Sequence, residues 1–565
     1  MPLERVPGYS MKMGSRAWWC LLECLISAIT LVVKLIAAKA IEAKAMQKQL
    51  PNKNQAASDI SRRTLIKNTA TMAAISASPF SLANAMQNQG SSELTWMPAW
   101  QLVAAIAHKK LSPVEVVTHF LNRIDRLDPI LHAYITVDHA GAIAQAKSAE
   151  KAVMSGASLG PLHGLPISIK DLYMTKGLRT TQGSLIYKDT VPDVDEILVE
   201  RLRNAGAIIL GKTNTSEFAT FPRTKSLLAG ECVNPWNTAH ISGASSGGAG
   251  AAVAAGMSCF AIGSDGGGST RIPSCFNGVF GFQPSAGRLA VRKPSVSPMS
   301  SAGPMALHVR DAAMILETVC GQDPRDPSAI EQPSPKFVAQ LDDGIKDFRI
   351  AWSKDFGAIP IIEPKVIQQV EASVKILSEA GAHIESPELI FPDRDAWAVF
   401  LALNEIAHHR GSRLLEFNEK QAALLTPPTQ RMLAQVKATQ PMSAEQQRKT
   451  FELRAKVYRW TETVFAKHDL ICTPTLGIVA PEIPEGEWDQ PYTNPYYANH
   501  ISTCYTYVAN ILGLPACSVP CGFVDGLPVG LQIIGRRFDD VKVMRAAEAF
   551  FKLQPWTDKH PAIAL

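Results

Sequence analysis

Ser242-Gly-Ala-Ser-Ser-Gly-Gly-Ala-Gly250, a small-residue helix over Ala251–Gly256, a strand over Cys259–Ser264, then Asp265-Gly-Gly-Gly-Ser-Thr-Arg-Ile-Pro273: this succession decides how the chain is read. Three glycines directly before Ser269, at the end of a strand, let the backbone turn so that several N–H groups converge on one place. Such a nest stabilises the oxyanion formed when a hydroxyl attacks a carbonyl, and it presents Ser269 to the same carbonyl. Alone, the run is also what a tight glycine turn with a capping serine looks like. The earlier pair Ser245-Ser246 changes the weighing. A helix packed back on a sheet returns the chain near its start, so the two serine loops are expected to meet.

Serine is a weak nucleophile and needs a base within hydrogen-bond reach. No histidine sits in an evident catalytic motif; His163 and His240 read as structural. Lys170 is the better base. It stands near the end of the apolar run Leu165-Pro-Ile-Ser-Ile-Lys-Asp171, which carries it inward. A dry site disfavours the ammonium and leaves an amine able to accept a proton. The alternative is a lysine that reaches solvent or pairs with Asp171.

Outward from this centre, Leu165–Asp171, Ala207–Gly211, Cys259–Ser264, Phe348–Trp352, Leu470–Thr473, Ala516–Cys521 and Val529–Ile534 read as short buried strands. Helical patterns alternate with them. Ser112–Leu127 opens with a cap and a first-turn proline, and Glu363–Ala380 ends at Gly381. The expectation is an α/β protein, layered α/β/α, with one large mixed and mostly parallel central sheet. Residues 86–565 read as a single domain, with a helical insertion near 385–465.

The chain has 565 residues, 46% hydrophobic and 19% charged, which excludes disorder throughout. Residues 1–85 hold 11 Lys/Arg against 4 Asp/Glu, leaving 45 against 47 in the remainder. The larger part therefore has no basic excess, and nucleic acid is not expected as a partner. The 10 cysteines are scattered without C-x-x-C spacing and read as buried free thiols. Neither H-E-x-x-H nor paired C-x-x-C occurs, so no metal or other cofactor is expected.

Residues 1–85 read as a leader. Ser61-Arg-Arg-Thr-Leu-Ile-Lys67 precedes a modest apolar stretch, and Ala83-Asn84-Ala85 offers a small-x-small cleavage site. This resembles a twin-arginine export signal, which implies the twin-arginine export machinery as a partner and a periplasmic or secreted protein, exported after folding. Upstream, Ala17–Val33 is short for a membrane span and contains Glu23. Met46 fits as the true start, because it opens a polar, lysine-bearing region directly before Arg62-Arg63.

Together, Gly164-Leu-Pro-Ile-Ser-Ile-Lys-Asp171, Gly243-Ala-Ser-Ser-Gly-Gly248 and Asp265-Gly-Gly-Gly-Ser-Thr-Arg-Ile-Pro273 resemble the motifs of the amidase signature family, whose core contains G-G-S-S-G-G and D-x-G-G-S-x-R-x-P. The likeness continues through Gly281-Phe-Gln-Pro-Ser-Ala-Gly-Arg288 and Gly526-Leu-Pro-Val-Gly-Leu-Gln-Ile-Ile-Gly535. It implies an amidase that hydrolyses a small-molecule or peptide amide to an acid and ammonia or an amine. Neutral Lys170 would take a proton from Ser245, preceded by a cis peptide, and Ser245 one from the nucleophile Ser269. Backbone N–H groups of Gly266, Gly267, Gly268 and Ser269 would hold the oxyanion. Ser246 would orient the relay serine, with Asp265 and Arg271 as a supporting pair. Ala244 and Gly266 depart from the family pattern; Gly266 adds freedom to the oxyanion loop.

Three other readings compete with this one. Gly243-Ala-Ser-Ser-Gly247 fits the G-x-S-x-G elbow of α/β-hydrolases, but the acid and histidine that should follow are not evident. A glutaminase subunit of a tRNA-dependent amidotransferase belongs to the same family, and the export signal argues against it. A non-catalytic binding protein on this scaffold fits poorly with intact Lys170, Ser245 and Ser269. Tyr496, Tyr497, Tyr505 and Tyr507 either line a pocket or pack in the core.

Overall fold

Ser112 accepts hydrogen bonds from the Val114 and Glu115 amides and starts helix α1 (Pro113–Leu131), whose first-turn proline needs no donor there. Its buried stripe of Val116, Val117, Phe120, Leu121, Ile124 and Leu127 packs on a sheet, each large side chain contributing roughly 1.5–3 kcal/mol. This is a computed structural model, and it describes residues 93–292, 299–392, 398–403, 412–484, 488 and 504–565. The leader over 1–85, the alternative start Met46, and Tyr496 and Tyr497 lie outside the described residues.

The sheet has eleven strands. In chain order they are β1 (Tyr134–Val137), β2 (Pro166–Lys170), β3 (Ile208–Thr213), β4 (Phe260–Asp265), β5 (Phe280–Gln283), β6 (Ser301–Ala306), β7 (Arg349–Trp352), β8 (His383–Glu385), β9 (Leu470–Pro474), β10 (Ala516–Val524) and β11 (Leu527–Gly535). Across the sheet they lie in the order β1-β3-β2-β4-β6-β5-β10-β11-β9-β7-β8. The large mixed sheet is as expected, and so is every strand read from the sequence. Its emphasis differs: four neighbouring pairs are parallel and six antiparallel. Two parallel wings, β3-β2-β4 and β9-β7-β8, flank an antiparallel centre. The cause is local at β10 and β11, where Asp525 (φ 49°) and Gly526 (φ 83°) make a two-residue hairpin turn with both central residues left-handed.

Strand side chains alternate between faces. Ile350, Leu470, Cys472 and Ile533 join the large core with α1, whereas Ala351, Ile471 and Ile534 join a second core. Helices therefore cover both faces. The elements nearest the serine loops are α2 (Gly247–Ala254) and α3 (Arg271–Asn277). Further on come α4 (Pro364–Ile376), α5 (Pro427–Ala438), α6 (Ala444–Phe465) and α7 (Cys504–Leu512). Helix α6 begins with a capping box between Ser443 and Gln446, and its buried residues include Val457, Val464 and Phe465 of the second core. The eight cysteines from Cys232 to Cys521 are buried and free.

Candidate active site

β2 runs between β3 and β4 and ends at Lys170, which is wholly buried. Its Nζ has three hydroxyl partners: Ser245 Oγ at 2.7 Å, Ser246 Oγ at 2.8 Å and Ser264 Oγ at 2.8 Å. Burial pushes the lysine pKa well below its ordinary value, opposed by the charge of Asp265. A neutral amine has two N–H donors and one lone pair. Ser246 Oγ gives its own proton to the Ser264 carbonyl at 3.3 Å and accepts the Ser264 amide at 3.1 Å. Ser246 is thus an acceptor towards the lysine, which leaves the lone pair for another hydroxyl. Asp171, the alternative partner, is turned elsewhere: it accepts from the Thr181 and Gly183 amides.

Ser245 is 1% exposed and follows a cis peptide after Ala244. Thr224 braces its loop, donating to the Gly243 carbonyl at 2.9 Å and accepting the Gly247 amide at 3.1 Å. Ser269 stands partly exposed where Ser245 is covered. The two loops meet as expected: the Ser246 amide donates to the Ser269 carbonyl at 3.2 Å. Ser269 Oγ makes no hydrogen bond among the described residues. The expected contact between Lys170 and Ser245 is therefore formed, and no hydrogen bond joins the Ser245 and Ser269 side chains among the described residues. Ser246, expected to orient Ser245, instead fixes the lysine.

Asp265 shapes the glycine turn. Its carboxylate accepts the Gly268 amide at 2.7 Å, the Thr270 and Arg271 amides at 3.3 Å each, and Asn510 Nδ2 at 2.9 Å. The expected pairing with Arg271 is present and fully buried, with Nε and Nη2 each 3.0 Å from the carboxylate. Burial would raise the Asp265 pKa, but the Arg271 guanidinium and these donors outweigh it and hold it below the ordinary value. Arg271 also reaches Gln283 Oε1 at 2.7 Å, Gln532 Oε1 at 2.6 Å, Asn510 Oδ1 at 2.6 Å and the Thr506 carbonyl at 3.0 Å.

Of the expected oxyanion donors Gly266, Gly267, Gly268 and Ser269, one already has a partner. The Gly268 N–H, in a turn with φ of 107° that favours glycine, is already spent on Asp265. The N–H groups of Gly266, Gly267 and Ser269 have no partner among the described residues and are the donors open to a ligand. Thr506 Oγ1 donates to the Gly267 carbonyl at 2.9 Å, fixing the peptide plane beside them. A Cβ on Gly267 would lie 2.7 Å from the Phe400 ring, which stacks on Tyr507 at 4.4 Å. Tyr505 and Tyr507 belong to the second core.

Sequence reading missed Ser264, Thr506, Asn510, Gln283 and Gln532. A lone glutamine inside an apolar strand, as at Gln532, was the available signal. His163 and His240 bond backbone carbonyls of Ala149 and Ala480, away from this cluster.

A family model described as Amidase matches residues 115–544. The glutamyl-tRNA(Gln) amidotransferase A subunit of Moorella thermoacetica is 34% identical over 494 residues, spanning 84% of this chain and 100% of that protein. A bacterial aryl acylamidase of the amidase signature enzymes superposes with a TM-score of 0.75 at 29% identity, covering 82% of this chain and 97% of that one. The corresponding A subunit from Thermotoga maritima gives 0.65 at 31% identity, covering 79% and 92%.

Proposed function

The chain belongs to the amidase family and acts on carbon–nitrogen amide bonds, and on that basis we propose a free-standing amidase working through Ser269, Ser245 and Lys170. Ser269 Oγ attacks the amide carbon while its proton passes to Ser245 and that of Ser245 to the lysine lone pair. The Gly266, Gly267 and Ser269 amides receive the oxyanion. The proton returns to the leaving nitrogen, the C–N bond breaks and ammonia or an amine departs. Water then releases the acid by the same route. The observation that carries this reading is the buried lysine bonded to Ser245 at 2.7 Å beside a partly exposed Ser269.

The test is labelling of residues 86–565 with a fluorophosphonate and mass mapping of the adduct. Ser269 is expected to carry it, and Lys170→Ala to abolish it. An adduct on Ser245, or none on folded protein, would overturn the assignment.

A second reading is favoured by the 34% identity to an amidotransferase component over that protein's full length. In that role, the chain would release ammonia from an amide for partner subunits. Turnover of simple amides by the purified chain alone separates the two. The leader supports the first reading: Arg62-Arg63 and Ala83-Asn84-Ala85 are the marks of twin-arginine export to the periplasm or beyond.

A further inference from the structure

On the outer side of α6, a groove of about 500 Å³ runs between that helix and residues 536–538, with Leu512 at the end of α7 also lining it. Its volume falls in the range of small-molecule sites. Arg454, Arg536 and Arg537 line it together with a single acid, Glu462. Three half-exposed aromatic side chains stand at its edge: Phe451 at 51%, Tyr458 at 50% and Phe538 at 38%.

The arginines are underused. Each guanidinium has five N–H donors. Arg454 gives its Nε to the Ile511 carbonyl at 2.9 Å, and Arg537 reaches Ala286 only at 3.5 Å. Arg536 meets Glu462 at 3.6 Å, and its buried Nε has no partner among the described residues. Burial, and then the charge of Arg537, hold the Arg454 pKa below its ordinary value, a sign that their positive charges are close and poorly compensated. Arg271, by contrast, spends its donors on Asp265 and four further acceptors. The guanidinium of Arg537 also lies 4.7 Å from the Phe538 ring centroid, so a charged donor and an aromatic wall are presented together.

We propose that this groove binds a small aryl carboxylate, its carboxylate bridging Arg454 and Arg537 and its ring lying against Phe451, Tyr458 and Phe538. Charge-assisted, forked hydrogen bonds select the anion, and the aromatic rim selects a flat apolar body. The site is separate from the serine cluster, and none of its residues belongs to the relay.

The test is calorimetric titration of the full chain carrying Ser269→Ala with 2-naphthoate. One saturable site is expected. Affinity should fall about tenfold or more in Arg454→Gln/Arg537→Gln, and equally for neutral 2-naphthalenemethanol. Binding unchanged in the double variant would place the ligand elsewhere and overturn the proposal, as would no saturation of folded protein by about 10 mM. Should the double variant fail to fold, Arg537→Gln alone decides, since among the described residues that guanidinium has only a 3.5 Å hydrogen bond to the Ala286 carbonyl: affinity should fall several-fold, and unchanged binding rejects the site.

Discussion

Lys170 is surrounded by hydroxyls and carries its charge only at the expense of hydration, so its titration should govern the reaction. Below its folded pKa the ammonium has no lone pair and cannot accept the Ser245 proton. kcat/KM should therefore rise with pH along a limb centred well below the ordinary lysine value, near 10.4. The same shift has a stability consequence. The unfolded chain binds a proton at this lysine where the folded one does not, so stability rises with pH between the folded and unfolded values. Lys170→Met should flatten that rise in urea titrations at several pH values. Asp265 acts in the same direction at lower pH, its depressed pKa contributing stability that is present above the unfolded value and lost as pH falls through the folded value. Asp265→Ala strands the buried guanidinium of Arg271 and should cost about 3–5 kcal/mol by urea unfolding.

Helix α7 has two jobs on one side. Thr506 holds the Gly267 carbonyl, and Asn510 holds Asp265. Thr506 is thus a positioning residue for the amides of the glycine turn. Thr506→Val should lower kcat about tenfold with KM little changed, and Thr506→Ser should restore it; a change in KM alone would mean it only shapes the pocket. Legibility in the sequence also divides at the scale of elements. Buried strands with continuous apolar runs, such as Ala516–Cys521, could be read, and so could a helix with a cap, such as the one begun by Ser112. Strand β6 escaped because Ser301-Ala-Gly-Pro-Met-Ala306 has neither alternation nor β-branched residues; its neighbours make it a strand. Asp525-Gly526 is a hairpin signal in plain view, and it marks the antiparallel centre that a mixed, mostly parallel reading of the sheet leaves out. The triad was legible because glycines and serines in loops carry their chemistry locally. Thr506 and Asn510 were not, since only folding brings them 239 and 245 residues back to Gly267 and Asp265.

At the scale of the molecule, one sheet joins residues from Tyr134 to Gly535, so the parts of the site depend on nearly the whole chain. Export as a folded protein would suit that dependence. Protein recovered outside the cytoplasm should begin near Met86 on N-terminal sequencing; a mature chain starting at Met1 would reject the leader. The eight buried thiols give this order of events a chemical edge. Burial pushes Cys521 up to about 12 and the neighbouring Cys517 higher still, so almost no thiolate exists in the native state. Unfolding returns all of them to ordinary acidity, and then oxidation competes with folding. Native protein comprising residues 86–565 should ignore a thiol reagent such as dithionitrobenzoate, while the same protein denatured and refolded in air should recover less activity than when refolded with a reductant. The molecule behaves as a ratchet against oxygen: safe once closed, and vulnerable whenever it has to close again.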